Sequence, residues 1–133
     1  MLTLKIFDTT TASIGKRPEN GFEVRVSGET ITVRELIRLR IFQEVEEFNA
    51  RKPEIFRMLV QPNEAERVLN GYKCTRPRQV DPQAQFEKAI QAFDANGFIV
   101  LVDDKQVDSL EAEIQLHPET RINFLKLVPL VGG

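Results

Sequence analysis

The residues with the clearest chemical potential in this chain are its last two, Gly132 and Gly133. Glycine makes up about 7% of average composition, so a terminal pair arises by chance with a probability of roughly half a percent. A carboxylate is a poor acyl donor until ATP converts it to an acyl-adenylate, and an enzyme that does this must thread the chain end through a narrow channel to the nucleotide. Two residues without Cβ let the backbone approach closely. From the adenylate, a nucleophile of the enzyme captures the acyl group for transfer to a target, or a sulfur donor makes a C-terminal thiocarboxylate. Both routes react at Gly133, and neither asks for a catalytic side chain on this chain, which is therefore expected not to be an enzyme.

The other reactive side chains have no partners at a recognisable spacing. Cys74, the single cysteine, has Lys73 and Arg76 beside it, but no paired base is identifiable, and it reads as an ordinary thiol. One Cys also excludes an intramolecular disulfide framework and a Cys-cluster zinc site. His117, the only histidine, precedes Pro118 with no partner evident and reads as a loop residue rather than a ligand or base. No metal is expected, and no cofactor beyond the ATP used by an activating enzyme.

The elements that must carry such a chain end follow from periodicity. Leu2, Leu4 and Ile6 alternate with Thr3 and Lys5, as a half-buried strand does, and Phe22 to Val26 alternates likewise after a polar connection from Thr9 to Gly21. A long-looped antiparallel hairpin is expected. Thr32 and Glu35 form a capping box with Ile31 and Leu36 as a hydrophobic staple, so a helix is predicted to begin at about Val33. Val33, Leu36, Ile37, Ile41, Val45 and Phe48 recur at helical spacing and would cover a sheet, with Glu44, Glu46 and Glu47 outside that stripe.

From Arg51 to Val80 the periodicity weakens, and two short helices are expected, the second with Asn63 and Glu66 as a capping pair and Gly71 as a stop. A firmer helix starts at Asp81 as N-cap with Pro82 at its first position, carries Phe86, Ala89, Ile90 and Phe93 on one face, and ends at Asn96-Gly97. Phe98 to Val102 is a continuous apolar run. The polar turn Asp103-Asp104-Lys105-Gln106 and Val107 follow, so a strand, a tight turn and a short returning strand are expected. Leu110, Ile114 and Leu116 punctuate an acidic connection, and Pro118-Glu119-Thr120 turns into a last strand from Arg121 to Leu127.

Composition narrows the partners. With 133 residues, 41% of them hydrophobic, one compact domain over residues 1–133 is expected. Eighteen basic and twenty acidic residues leave a net charge of -2, which gives no general electrostatic reason for nucleic acid or an anionic membrane as partner. The N-terminal MLTLKIFD has no basic segment followed by an apolar one, and no apolar run is long enough to span a bilayer, so a cytoplasmic location is expected.

The order of two strands, a helix, a helical insertion over about 51–97 and further strands gives an α+β fold: a mixed sheet packed on one long helix. This is the β-grasp layer arrangement. The stretch Val100-Leu101-Val102-Asp103-Asp104-Lys105-Gln106-Val107, then Leu110, Glu119-Thr120, an apolar strand and the terminal Gly-Gly, resembles the C-terminal half of the ubiquitin family. Phe22-Glu23-Val24-Arg25-Val26 followed by Ser27-Gly28-Glu29-Thr30-Ile31 is similar to that family's second strand and helix start. Together these regions cover about two thirds of the chain. The insertion is a departure, since ubiquitin has almost nothing there.

The tail Val128-Pro129-Leu130-Val131 before Gly132-Gly133 lacks ubiquitin's arginines, and it resembles the ending of the small subunit of molybdopterin synthase and related sulfur carriers. The resemblance implies a protein modifier, like the stand-alone modifiers of bacterial ubiquitination-like operons. It would be adenylated and conjugated through Gly133 by a ubiquitin-activating-like enzyme, which recognises Val128, Pro129, Leu130 and Val131, and by a conjugating enzyme. A deconjugating metalloprotease and a role in phage defence are implied by analogy alone. The alternatives are a sulfur carrier for molybdopterin or thiamine and a non-covalent β-grasp interaction module. The resemblance also places Leu101 at the centre of a candidate partner patch with Ile99, Leu125 and Leu127, and Lys105 at a chain-linkage position.

Overall fold

The computed structural model describes residues 2–10, 22–51, 55–56, 59–60, 65–68, 71–74 and 80–127. In chain order these form β1 (Leu2–Thr10), β2 (Phe22–Val26), β3 (Thr30–Thr32), α1 (Val33–Arg51), β4 (Ile55–Phe56), β5 (Ala65–Val68), β6 (Gly71–Cys74), α2 (Pro82–Asp94), β7 (Phe98–Val102), β8 (Lys105–Val107), β9 (Glu113–Gln115) and β10 (Arg121–Lys126). The chain is thus α+β, as its periodicity predicts. It divides into two compact units, Met1–Leu36 with Phe93–Gly133, and Ile37–Ala92. None of the helices among the described residues is long and apolar enough to cross a membrane.

The first unit is built on a five-stranded sheet in the order β2-β1-β10-β7-β8. The β2–β1, β10–β7 and β7–β8 pairs are antiparallel, whereas β1 and β10 run parallel, with Lys5 opposite Arg121 through to Thr10 opposite Lys126. Alternation sorts the side chains. Leu4, Ile6, Val24, Val26, Phe98, Val100, Ile122 and Phe124 are buried, while Thr3, Lys5, Glu23 and Arg25 on the opposite face are exposed. Each fully buried side chain of this size contributes about 1.5–3 kcal/mol, so this row outweighs any surface pair in the unit. Phe98 lies between Phe93 and Phe124, with ring centroids 5.8 and 6.0 Å away in tilted geometry.

The β7–β8 hairpin has the expected tight turn. Val102 pairs with Lys105, and Asp103 and Asp104 between them have φ values of 49° and 68°, the twist that a two-residue hairpin needs. Asp103 offsets the strain of that conformation with two bonds to the start of β10: its N–H donates to the Arg121 carbonyl and its Oδ1 accepts from the Arg121 N–H, both at 2.9 Å.

The acidic connection after β8 is more ordered than its sequence suggests. Residues 113–115 form β9 and pair antiparallel with β3, and the Leu116 N–H donates to the Glu29 carbonyl at 2.8 Å. The Ala112 and Leu110 carbonyls accept from Val33 N–H and Arg34 N–H at 3.1 and 3.0 Å, and Thr32 Oγ1 accepts from Glu35 N–H at 3.1 Å. Three of the four donors that a helix start leaves open are therefore satisfied. Thr32 is the N-cap, and α1 begins at Val33 as predicted. Arg34 and Glu111 add an ion pair at 2.6 Å, but both side chains are largely exposed and the pair contributes little.

The second unit contains most of α1 and α2 and the three-stranded sheet β4-β6-β5. All six residues of the predicted stripe on α1 are buried: Val33, Leu36, Ile37, Ile41, Val45 and Phe48. Arg40 joins them at 1% exposure. Its guanidinium reaches Glu44 Oε2 at 3.3 Å, while Glu44 Oε1 accepts from Leu59 N–H at 3.1 Å, so Glu44 is a buried-side residue rather than one of the solvated acids with Glu46 and Glu47. Asn49 grips the far end of the excursion, accepting from Val80 N–H at 2.9 Å and donating to the Val80 carbonyl at 3.0 Å. Gln85 Nε2 donates to the Val60 carbonyl at 2.7 Å. No buried side-chain N or O among the described residues lacks a partner.

Two expectations need correction here. The insertion is not wholly helical, because Ala65–Val68 and Gly71–Cys74 form a hairpin closed by Val68 opposite Gly71, with β4 on its other side. Glu66 lies in β5 opposite Lys73 instead of capping a helix, and Asn63 falls outside the described residues. A Gly after a short apolar run ends a helix or turns a hairpin equally well, and pairing with β4 decides between them. The α2 helix starts at Pro82 with Asp81 capping Gln83 N–H at 3.1 Å, as expected, but its buried line is Gln85, Ala89 and Phe93, whereas Phe86 and Ile90 are half-buried.

Candidate functional site

The six residues that carry the proposed chemistry and its recognition, Val128, Pro129, Leu130, Val131, Gly132 and Gly133, lie outside the described residues. What the structure does describe is their approach. β10 is the middle strand of the sheet, paired along its length with β1 on one side and β7 on the other. A central strand has both edges hydrogen-bonded, so its backbone has the least freedom in the sheet. Its last residue, Lys126, pairs with Thr10 and with Phe98, and one step further the Leu127 N–H donates to the Gly97 carbonyl at 3.1 Å. The start of β10 is held as firmly by Asp103, and Thr120, which is buried, accepts from His117 N–H at 2.8 Å through its Oγ1.

Register brings the candidate patch residues together only in part. Leu125 lies directly opposite Ile99, and Asn123 lies opposite Leu101, so all four share the sheet face that the buried row does not use. Leu125 is nevertheless buried, at 9% exposure, so it is not an exposed contact. Ile99 and Leu101 are half-buried, and Leu127, at 39%, is the exposed large apolar residue of the set. Leu125 lies between Thr9 of β1 and Ile99 of β7, its register partners on either side.

Sequence reasoning missed the polar members of this face. Thr9 Oγ1 donates to Asn123 Oδ1 at 3.0 Å across the parallel pair, and the Arg121 guanidinium lies 4.8 Å from the centroid of the Phe7 ring. Alternation within each strand puts Phe7, Thr9, Arg121 and Asn123 on that face. Only the β1–β10 register, which joins the two ends of the chain, shows that they are neighbours.

Lys105 is exposed and opens β8, opposite Val102. His117 is also exposed and sits in the turn before β10, and Cys74 ends β6 opposite Ala65. No group of three His, Cys, Asp or Glu side chains that could hold a metal ion is present among the described residues. Arg38 and Phe42 form a second cation–π pair at 4.6 Å, one helical turn apart on α1. No protein-family model, no curated protein and no solved structure matches the chain.

Proposed function

We propose that this chain is a ubiquitin-like protein modifier of β-grasp fold. A dedicated activating enzyme adenylates it with ATP at Gly133, and a conjugating enzyme then joins it to a target protein. The Gly133 carboxylate attacks the α-phosphorus of ATP and displaces pyrophosphate, a thiol of the activating enzyme displaces AMP, and an amine of the target displaces that thiol. The chain is the group transferred and acts in the cytoplasm without a catalytic residue of its own.

The observation that carries this reading is the place of β10. It is the last strand among the described residues, it lies in the centre of the sheet parallel to β1, and the Leu127 N–H that follows it is hydrogen-bonded to the Gly97 carbonyl. The order β2-β1-β10-β7-β8, with α1 following the first hairpin, is the arrangement expected of a β-grasp sheet, and it keeps the excursion between α1 and β7 out of β10's pairing. Six residues, 128–133, follow Leu127 in the sequence, and a chain of that length spans at most about 20 Å when extended, enough to enter an enzyme channel. Val128, Pro129, Leu130 and Val131 make that segment apolar and, at Pro129, stiff, which suits a specialised activating enzyme.

The test is incubation with ATP and the activating enzyme encoded beside the chain, followed by intact-mass analysis. Adducts linking Gly133 to protein lysines are the expected result. A C-terminal thiocarboxylate would identify a sulfur carrier instead. Unchanged function after deletion of Gly132-Gly133 would leave a non-covalent interaction module.

A further inference from the structure

The turn between α2 and β7 holds a feature that the chemistry at Gly133 leaves unused. Asn96 has a φ of 59°, in the left-handed region that residues with a Cβ rarely adopt and that Asn tolerates better than most. It follows the end of α2, and its N–H donates to the Phe93 carbonyl at 3.1 Å, closing the helix. The next residue, Gly97, offers the carbonyl that accepts from Leu127 N–H at 3.1 Å. That is the last hydrogen bond along β10 before residue 128 among the described residues. The Leu127 side chain is 39% exposed, so packing does little to hold this residue and its fixing falls to the backbone bond. The turn itself is stiff, because Phe93 on one side and Phe98 on the other are buried and in ring contact at 5.8 Å.

We infer that Asn96 is a positioning residue: its left-handed turn holds the Gly97 carbonyl where it fixes Leu127, the last described residue ahead of the sequence that leads to Gly133. The geometry stands by itself, and its purpose rests on the proposed activation of Gly133. An end that starts from a fixed point loses less conformational freedom on entering a channel than one that frays from Lys126. Loosening Leu127 therefore weakens docking to the activating enzyme and leaves the chemical step unchanged.

Two variants separate this role from a general loss of structure. Asn96→Gly keeps free access to positive φ, whereas Asn96→Val puts a β-branched residue where it is a steric outlier. In amide hydrogen exchange on the full chain, N96V is expected to speed exchange at Leu127 by about fivefold or more, the worth of one hydrogen bond, with Ile122 and Phe124 unchanged and N96G like wild type. In ATP–pyrophosphate exchange with the activating enzyme encoded beside the chain, N96V is expected to raise KM by about fivefold at unchanged kcat, and N96G to restore it. Wild-type exchange at Leu127 in N96V, faster exchange along the whole of β10, or an unchanged KM despite a loosened Leu127 each overturns the inference. If wild type supports no pyrophosphate exchange, the reading of Gly133 falls, and the Leu127 amide alone decides whether Asn96 positions it.

Discussion

Replacing Asn49 by Ala tests whether side chains, rather than a backbone ladder, hold the chain that leads into α2. The Asn49 amide makes a two-way contact with one residue, accepting from Val80 N–H at 2.9 Å and donating to the Val80 carbonyl at 3.0 Å. Each bond contributes a net of about 0.5–1.5 kcal/mol, and truncation strands two half-buried backbone groups that water re-solvates incompletely, so the loss is about 2 kcal/mol. Unfolding entropy near about 2.1 cal/mol/K per residue gives about 280 cal/mol/K for a chain of this length, and the melting temperature should fall by about 7 °C. Val80 directly precedes Asp81, whose Oδ1 caps Gln83 N–H at 3.1 Å, so fraying at Val80 should reach the first turn of α2. Thermal unfolding followed by circular dichroism, with amide exchange read at Val80 and Gln83, measures both effects. A melting temperature within about 2 °C of wild type together with unchanged exchange at Val80 would refute the reasoning, because two bonds to a half-buried backbone cannot vanish without a trace.

Two further outcomes probe α1. Thr32→Ala removes the N-cap acceptor of Glu35 N–H and should cost about 1 kcal/mol in urea unfolding, with Thr32→Ser restoring most of it; equal stability of all three would show that the carbonyls of 110–112 suffice to seal the helix. Glu44→Ala removes a carboxylate that serves Arg40, buried at 1% exposure, and Leu59 N–H together, and should cost about 3 kcal/mol. Glu44→Gln keeps an acceptor for Leu59 and should cost less, and a Glu44→Ala loss no larger than the roughly 0.5 kcal/mol typical of exposed sites such as Glu46 would sink the network.

The features legible in the sequence are those whose causes are local. The capping residues Thr32 and Asp81, the six-residue stripe of α1, the alternation of β1 and β2 and the apolar run of β7 all depend on neighbours within a few positions, and each appears where its pattern puts it. Residues 65–68 and 71–74 failed as a helical reading because their local signals are weak and their strand pairing with one another and with β4 is what orders them. Arg40 was invisible for a related reason. A charged residue inside an apolar stripe reads as an edge position until a counter-ion one turn away is seen to turn inward with it.

Residue chemistry and short-range spacing were enough to predict α1, α2 and the strands that alternate. Long-range packing settled that β10 lies between β1 and β7, that Leu125 is buried while Leu127 is exposed, and that the Gly97 carbonyl beside the Asn96 turn accepts from Leu127 N–H. Those facts rest in part on contacts between residues more than 100 positions apart, as in the Thr9–Asn123 bond, 114 positions apart. No local pattern encodes such a contact, because its free energy exists only once the intervening chain has folded.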